Sequence, residues 1–67
     1  MSALTGTLWC ARANRWWRLL APGGQEIASV IWHDGKEAWM VRAGRRRGTA
    51  PSLRAAMELG EKLAEDH

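Results

Sequence analysis

The residues in this 67-residue chain that could do chemistry are one cysteine, two histidines, ten Lys/Arg side chains and five tryptophans. Their spacing argues against catalysis. A thiolate nucleophile needs a base beside it and an electropositive, accessible setting. Cys10 instead lies in an apolar run next to expected core, with no histidine near it. His33 directly precedes Asp34, but the pair falls at the mouth of an expected hairpin, where it serves the turn. A single cysteine with His33 and the terminal His67 does not make a zinc ligand set. There is no P-loop and no pair of carboxylates at catalytic spacing. No enzyme activity, metal or cofactor is expected.

The basic and aromatic residues point elsewhere. Arg45-Arg46-Arg47 runs between Gly44 and Gly48, with Arg42 before it and Arg54 after it. Such a run is either a solvated loop or a finger that contacts phosphates, helped by the N-terminus of a following helix. Its affinity would be salt-sensitive and would not read base sequence. The second clue is Arg15-Trp16-Trp17-Arg18-Leu19-Leu20, a run that favours a strand. Successive strand side chains point to opposite faces, so Trp16 and Trp17 cannot share one. One ring enters a core. If only one side of the sheet is covered, the other ring meets solvent, a partner chain or a ligand.

A chain this short forms one domain with little core to spare. With Cys10 alone, no internal disulfide can support it, which leaves the tryptophans and self-association. No apolar run approaches the roughly 20 residues that span a bilayer. The start of the chain lacks the basic and apolar regions of a signal peptide, so a reduced cytoplasm is the expected location. The net charge of +3 is unevenly spread, since residues 1–54 hold nine of the ten Lys/Arg. Four of the seven acids lie in residues 55–67. A basic sheet region and an acidic tail suit an anionic partner.

These residues must be positioned by a small set of elements. Residues 1–6 are expected to fray. Strands are expected over 7–12, 15–21, 26–33 and 36–43, with turns at Ala13-Asn14, Pro22-Gly23-Gly24-Gln25 and Asp34-Gly35. The first strand is the least clearly marked. An Arg-rich loop over 44–50 follows, then a helix over 51–65, with Thr49 and Ser52 as cap candidates and Pro51 in its first turn. Leu53, Ala56, Met57, Gly60, Leu63 and Ala64 share one helical face. Gly60 leaves room for a bulky ring from the sheet, and Glu58 with Lys62 forms a favourable i,i+4 pair.

Two-residue loops at all three turns place Leu8, Cys10, Trp17, Leu19, Ala28, Val30, Trp32, Trp39 and Val41 beneath the helix. Arg12 and Glu37 intrude there, each beside a turn. The opposite face then carries Trp9, Trp16, Ile27, Ile31 and Met40 with Arg18 and Arg42. A one-residue slip would exchange the faces of a strand, and the Asp34-Gly35 hairpin is its expected place. Three readings of the second face stay open. The N-terminus or the arginine stems cover it, two copies pair through it, or single-stranded nucleic acid stacks on its rings.

Trp16-Trp17-Arg18-Leu19-Leu20, Gly24, Ile27-Ala28-Ser29-Val30, Trp39-Met40-Val41-Arg42 and Ser52-Leu53-Arg54-Ala55-Ala56-Met57-Glu58 together resemble small phage and prophage proteins of unknown function. The resemblance spans residues 15–64 and implies a sheet-then-helix fold and a mobile-element origin, without assigning any residue a role. The expected fold is α+β, an antiparallel three- to four-stranded β-meander with one C-terminal α-helix packed on one face. The expected function is non-enzymatic binding of nucleic acid, DNA or RNA, through Arg18, Arg42, Arg45, Arg46, Arg47 and Arg54. The alternative is a protein–protein module or homodimer that uses Trp9, Trp16, Ile31 and Met40 to meet its own copy or a host or phage protein. No membrane partner is expected.

Overall fold

Short aromatic and β-branched runs between turn residues favour strands. In the computed structural model they form one antiparallel sheet of β1 (Leu8–Ala13), β2 (Trp16–Leu20), β3 (Glu26–His33), β4 (Ala38–Ala43) and β5 (Arg46–Ala50). A single helix, α1 (Leu53–Glu65), follows. The five strands lie side by side in chain order, so the sheet is a meander with β1 and β5 at its edges. The structure describes residues 6–65; the expected fraying of residues 1–6 lies, Gly6 apart, outside them. The α+β class and the packed C-terminal helix are as the sequence implies.

The fifth strand corrects the expected Arg-rich loop over 44–50 and raises the strand count. Ala43 pairs with Arg46, Arg42 with Arg47, and Val41 with Gly48. The chain therefore reverses in the two residues Gly44-Arg45, and Gly44 takes a positive φ of 62°. A glycine opening a two-residue loop is a hairpin signal in its own right.

The other three hairpins show how loop length decides the faces. Around Pro22-Gly23-Gly24 the loop is one residue longer than expected, with Ala21 N–H donating to Gln25 O at 2.8 Å. A bulge at Ile27 absorbs the extra residue, so Trp17 still faces Val30 and Leu19 still faces Ala28. Ile27 turns from the expected open face towards the cluster of Leu19, Ala28, Ala43 and Ala64. The Asp34-Gly35 loop grows by two residues, closing as a 3-10 turn before Glu37. An even change keeps side-chain parity, so Trp39 and Val41 stay on the expected face, now opposite Trp32 and Val30. The slip that matters falls between β1 and β2. Ala13 pairs with Trp16, then a bulge at Arg12 sets Ala11 opposite Trp17 and Trp9 opposite Leu19. Every side chain of β1 from Leu8 to Ala11 changes face relative to expectation.

The core lies between the sheet and α1, which crosses β3, β4 and β5. Leu19, Val30 and Val41 are its largest fully buried side chains. Ser52 caps the helix through its Oγ, which accepts the Ala55 N–H at 3.2 Å. The helix thus begins at Leu53, with Pro51 before the cap and Thr49 in β5. Ala56, Gly60 and Ala64 form the buried spine of α1. Small residues at this i, i+4, i+8 spacing let the helix axis approach the sheet. The need is sharpest at Gly60, where a Cβ would meet Trp9 Cη2 at 3.1 Å and Val41 Cγ1 at 3.5 Å. The ring expected over Gly60 is Trp9. Its indole N–H also donates to Glu61 Oε2 at 2.8 Å.

At the far end of the sheet Trp32 and Trp39 meet edge-on, with centroids 5.6 Å apart. Trp32 Nε1 donates to Asp34 Oδ1 at 2.6 Å, and the Lys36 N–H donates to His33 Nδ1 at 3.2 Å. Both members of the His33-Asp34 pair thus hold the β3–β4 turn. Glu37 ends that turn in the left-handed region, at φ 50° and ψ 44°. A side chain there costs roughly 1–2 kcal/mol, against about 0.5–1 kcal/mol of extra unfolded-state entropy for glycine. Glu37→Gly is therefore expected to leave the fold intact and stabilise it by up to about 1 kcal/mol, read as a rise of a few degrees in Tm.

Candidate nucleic-acid interface

Among the described residues α1 covers one side of the sheet, and alternate residues of every strand project on the other. The ladder registers arrange them in rows across the strands. One row reads Trp16, Ile31, Met40 and Thr49, on β2, β3, β4 and β5. The next reads Cys10, Arg18, Ser29, Arg42 and Arg47, on all five strands. An apolar row with one aromatic ring thus runs beside a basic row. Ile31 is 45% exposed, while Trp16 and Met40 are half-buried against their neighbours. Trp16, Ile31, Met40, Ser29, Arg42 and Arg47 line a shallow open depression of about 330 Å³.

Charge on this face is nearly all positive. Arg12, at the β1 bulge, lies over Trp16 with its guanidinium carbon 5.0 Å from the ring centroid. Arg18 is held by Glu26, Nε to Oε1 at 3.8 Å, and that Nε is buried without a hydrogen-bond partner. Arg42 and Arg47 are directly opposite on adjacent strands. Among the described residues, neither guanidinium has a carboxylate partner. Like charges directly opposite in a ladder destabilise a sheet. That arrangement suits an anion that bridges them.

The structure divides the expected arginines. Arg18, Arg42 and Arg47 share the open face. Arg46 alternates with Arg47 and falls on the helix side, and Arg45 is at the tip of the β4–β5 turn. Arg54 is on the exposed surface of α1, paired with Glu58 at 3.7 Å, which replaces the expected Glu58–Lys62 pair. The three consecutive arginines are therefore not one finger. Trp9 leaves the expected interaction surface for the helix side, whereas Trp16, Ile31 and Met40 remain on it. Arg12 and Thr49 are the face residues that sequence reasoning missed. The Gly44-Arg45 turn signal would have found Thr49, since it extends the alternation of β4 into β5.

Among the described residues no three His, Cys, Asp or Glu side chains are grouped to hold a metal ion. No described helix is long and apolar enough to cross a membrane. No protein family, curated protein or solved structure was found to match the chain.

Proposed function

We propose that this protein is a small non-enzymatic binding protein that takes nucleic acid on the open face of its sheet. The observation that carries the reading is the basic row of Arg18, Arg42 and Arg47 beside the apolar row of Trp16, Ile31 and Met40. Guanidinium groups hold phosphates, and an aromatic ring with aliphatic neighbours offers a platform for a base. The carboxylates of α1, on Glu58, Glu61 and Glu65, lie on the opposite side of the sheet. The resulting charge asymmetry orients a polyanion towards the open face. An origin in a phage or prophage belongs to the same proposal and rests on the sequence pattern alone.

The exposed apolar row favours one second reading, docking of another protein. Self-pairing through this face is the weaker form of it. A two-fold axis there would gather Arg12, Arg18, Arg42 and Arg47 of both copies against only two Glu26 carboxylates, with little to offset their desolvation.

Salt separates the two readings. Binding of a labelled single-stranded oligonucleotide, followed by anisotropy, is expected at 50 mM salt and should weaken by about 20-fold at 200 mM, as three neutralised phosphates imply. No binding at 50 mM salt would sink the nucleic-acid reading. A protein partner held with an affinity that salt leaves unchanged would establish the other.

A further inference from the structure

We infer that the ligand is a single strand, bound over about three nucleotides that cross the β-strands, with one base stacked on Trp16. This rests on the nucleic-acid reading above and adds the form and length of the ligand. Five strands span four inter-strand spacings, roughly 19 Å of backbone. The major groove of a duplex is about 12 Å wide and admits a helix or a two-stranded ribbon. A five-stranded face is too wide to enter it. A duplex lying on the outside of such a face would offer phosphates to the arginines but no base to the ring. A single strand presents both, because its bases are free to stack.

The arrangement of the rows sets the footprint. Arg42 and Arg47 are one strand apart, and Arg18 is two strands from Arg42 with Ser29 between them. The basic row from Arg18 to Arg47 is thus about 14 Å long and runs perpendicular to the strands. Its Ser29 hydroxyl can donate to a phosphate oxygen. Trp16 is two residues along β2 from Arg18, so its row lies roughly 7 Å to one side. A backbone laid along the arginines therefore places its bases over Trp16, Ile31 and Met40. Only one position in that row is aromatic, so a single base stacks fully, displacing the Arg12 guanidinium that lies over the Trp16 ring in the free protein. The neighbouring bases rest on aliphatic side chains and carry little base preference.

The test uses the whole protein with labelled oligothymidylates and oligouridylates of one to eight and of twelve nucleotides, and a twelve-base-pair duplex, read by anisotropy. Affinity is expected to climb up to about three nucleotides and then grow only with the number of equivalent positions. Three phosphates give a slope of log K against log salt of about −2. The duplex is expected to bind at least tenfold more weakly than a single strand of equal length. Trp16→Ala should cost between about fivefold and a hundredfold, the range of one stacked base. Trp16→Phe, which keeps a ring in the β2 ladder, should fall between it and the wild type. Tight single-strand binding by either oligonucleotide chemistry supports the inference. Equal affinity for the duplex overturns it, as does a slope steeper than about −4 or affinity that keeps climbing to eight nucleotides. Those outcomes leave the broader reading standing. Absence of binding to every oligonucleotide at 50 mM salt removes both.

Discussion

Trp9→Ala is expected to destabilise the domain by about 2–4 kcal/mol, somewhat below the usual loss for a core tryptophan because the ring is half-buried. The whole stability of a chain this long is about 3–10 kcal/mol, so the variant should be largely unfolded or melt at least 10 °C lower. The size of the effect follows from where the ring lies. β1 is an edge strand, and α1 packs chiefly on β3, β4 and β5. Trp9 reaches from β1 across the gap to Gly60 and ties the edge of the sheet to the helix, adjoining both core clusters. Trp9→Phe keeps most of the ring and loses the bond to Glu61, worth about 1 kcal/mol. Trp16→Ala, on the open face, should cost about 1 kcal/mol, chiefly its contact with Arg12. Urea denaturation of the three variants checks this order. If Trp16→Ala were more damaging than Trp9→Ala, the β1 register described here would be wrong.

That register marks the boundary of what could be read from the residues. Parity along β2, β3 and β4 was legible because both of their hairpin loops depart from two residues in ways that preserve it. One loop gains two residues; the other gains one and loses it again at the Ile27 bulge. The Ala13-Asn14 turn had no such protection. The chain instead turns at Asn14-Arg15, and the positive φ of 67° falls on Arg15, which disfavours it as alanine would. That step and the Arg12 bulge together shift the pairing by one residue. The energetics of the swap are local to β1. Turning Trp9 inward buries a large ring against Gly60 and leaves Leu8 64% exposed, whereas the expected register would have buried Leu8 and Cys10 instead. Reading turns alone cannot weigh those alternatives, because the deciding partner is a glycine about fifty residues further along.

The candidate site was half legible for a related reason. Trp16, Arg18, Ile31, Met40 and Arg42 lie on strands whose parity was secure, and the structure keeps them on one face. The arginines at 45–47 read as a unit in the sequence because they are consecutive. In a strand, consecutive residues are separated by the sheet itself. Once Gly44-Arg45 closes a hairpin, only Arg47 of the three joins Arg42.

The Arg42–Arg47 pair yields the sharpest functional expectation, because its effects on folding and binding have opposite signs. Two guanidinium groups directly opposite on neighbouring strands repel, which costs the sheet some tenths of a kcal/mol. Arg42→Glu converts that repulsion into a cross-strand attraction, so stability should stay level or rise by up to about 1 kcal/mol. Binding should move the other way. The substitution removes a charge-assisted bond to phosphate, worth about 1.5–3 kcal/mol, and puts a negative charge in the middle of the basic row. A loss of oligonucleotide affinity on the order of 100-fold at low salt is expected, with a shallower salt slope. Arg54→Glu is the control, since Arg54 is on the far side of the sheet and 92% exposed; it should bind within about twofold of the wild type. Thermal melts and anisotropy titrations of the two variants measure both quantities. A row of arginines kept for solubility alone would show the gain in stability at Arg42 without the loss of binding. Phosphates bound on the proposed face would relieve a repulsion that the described residues leave uncompensated at its centre.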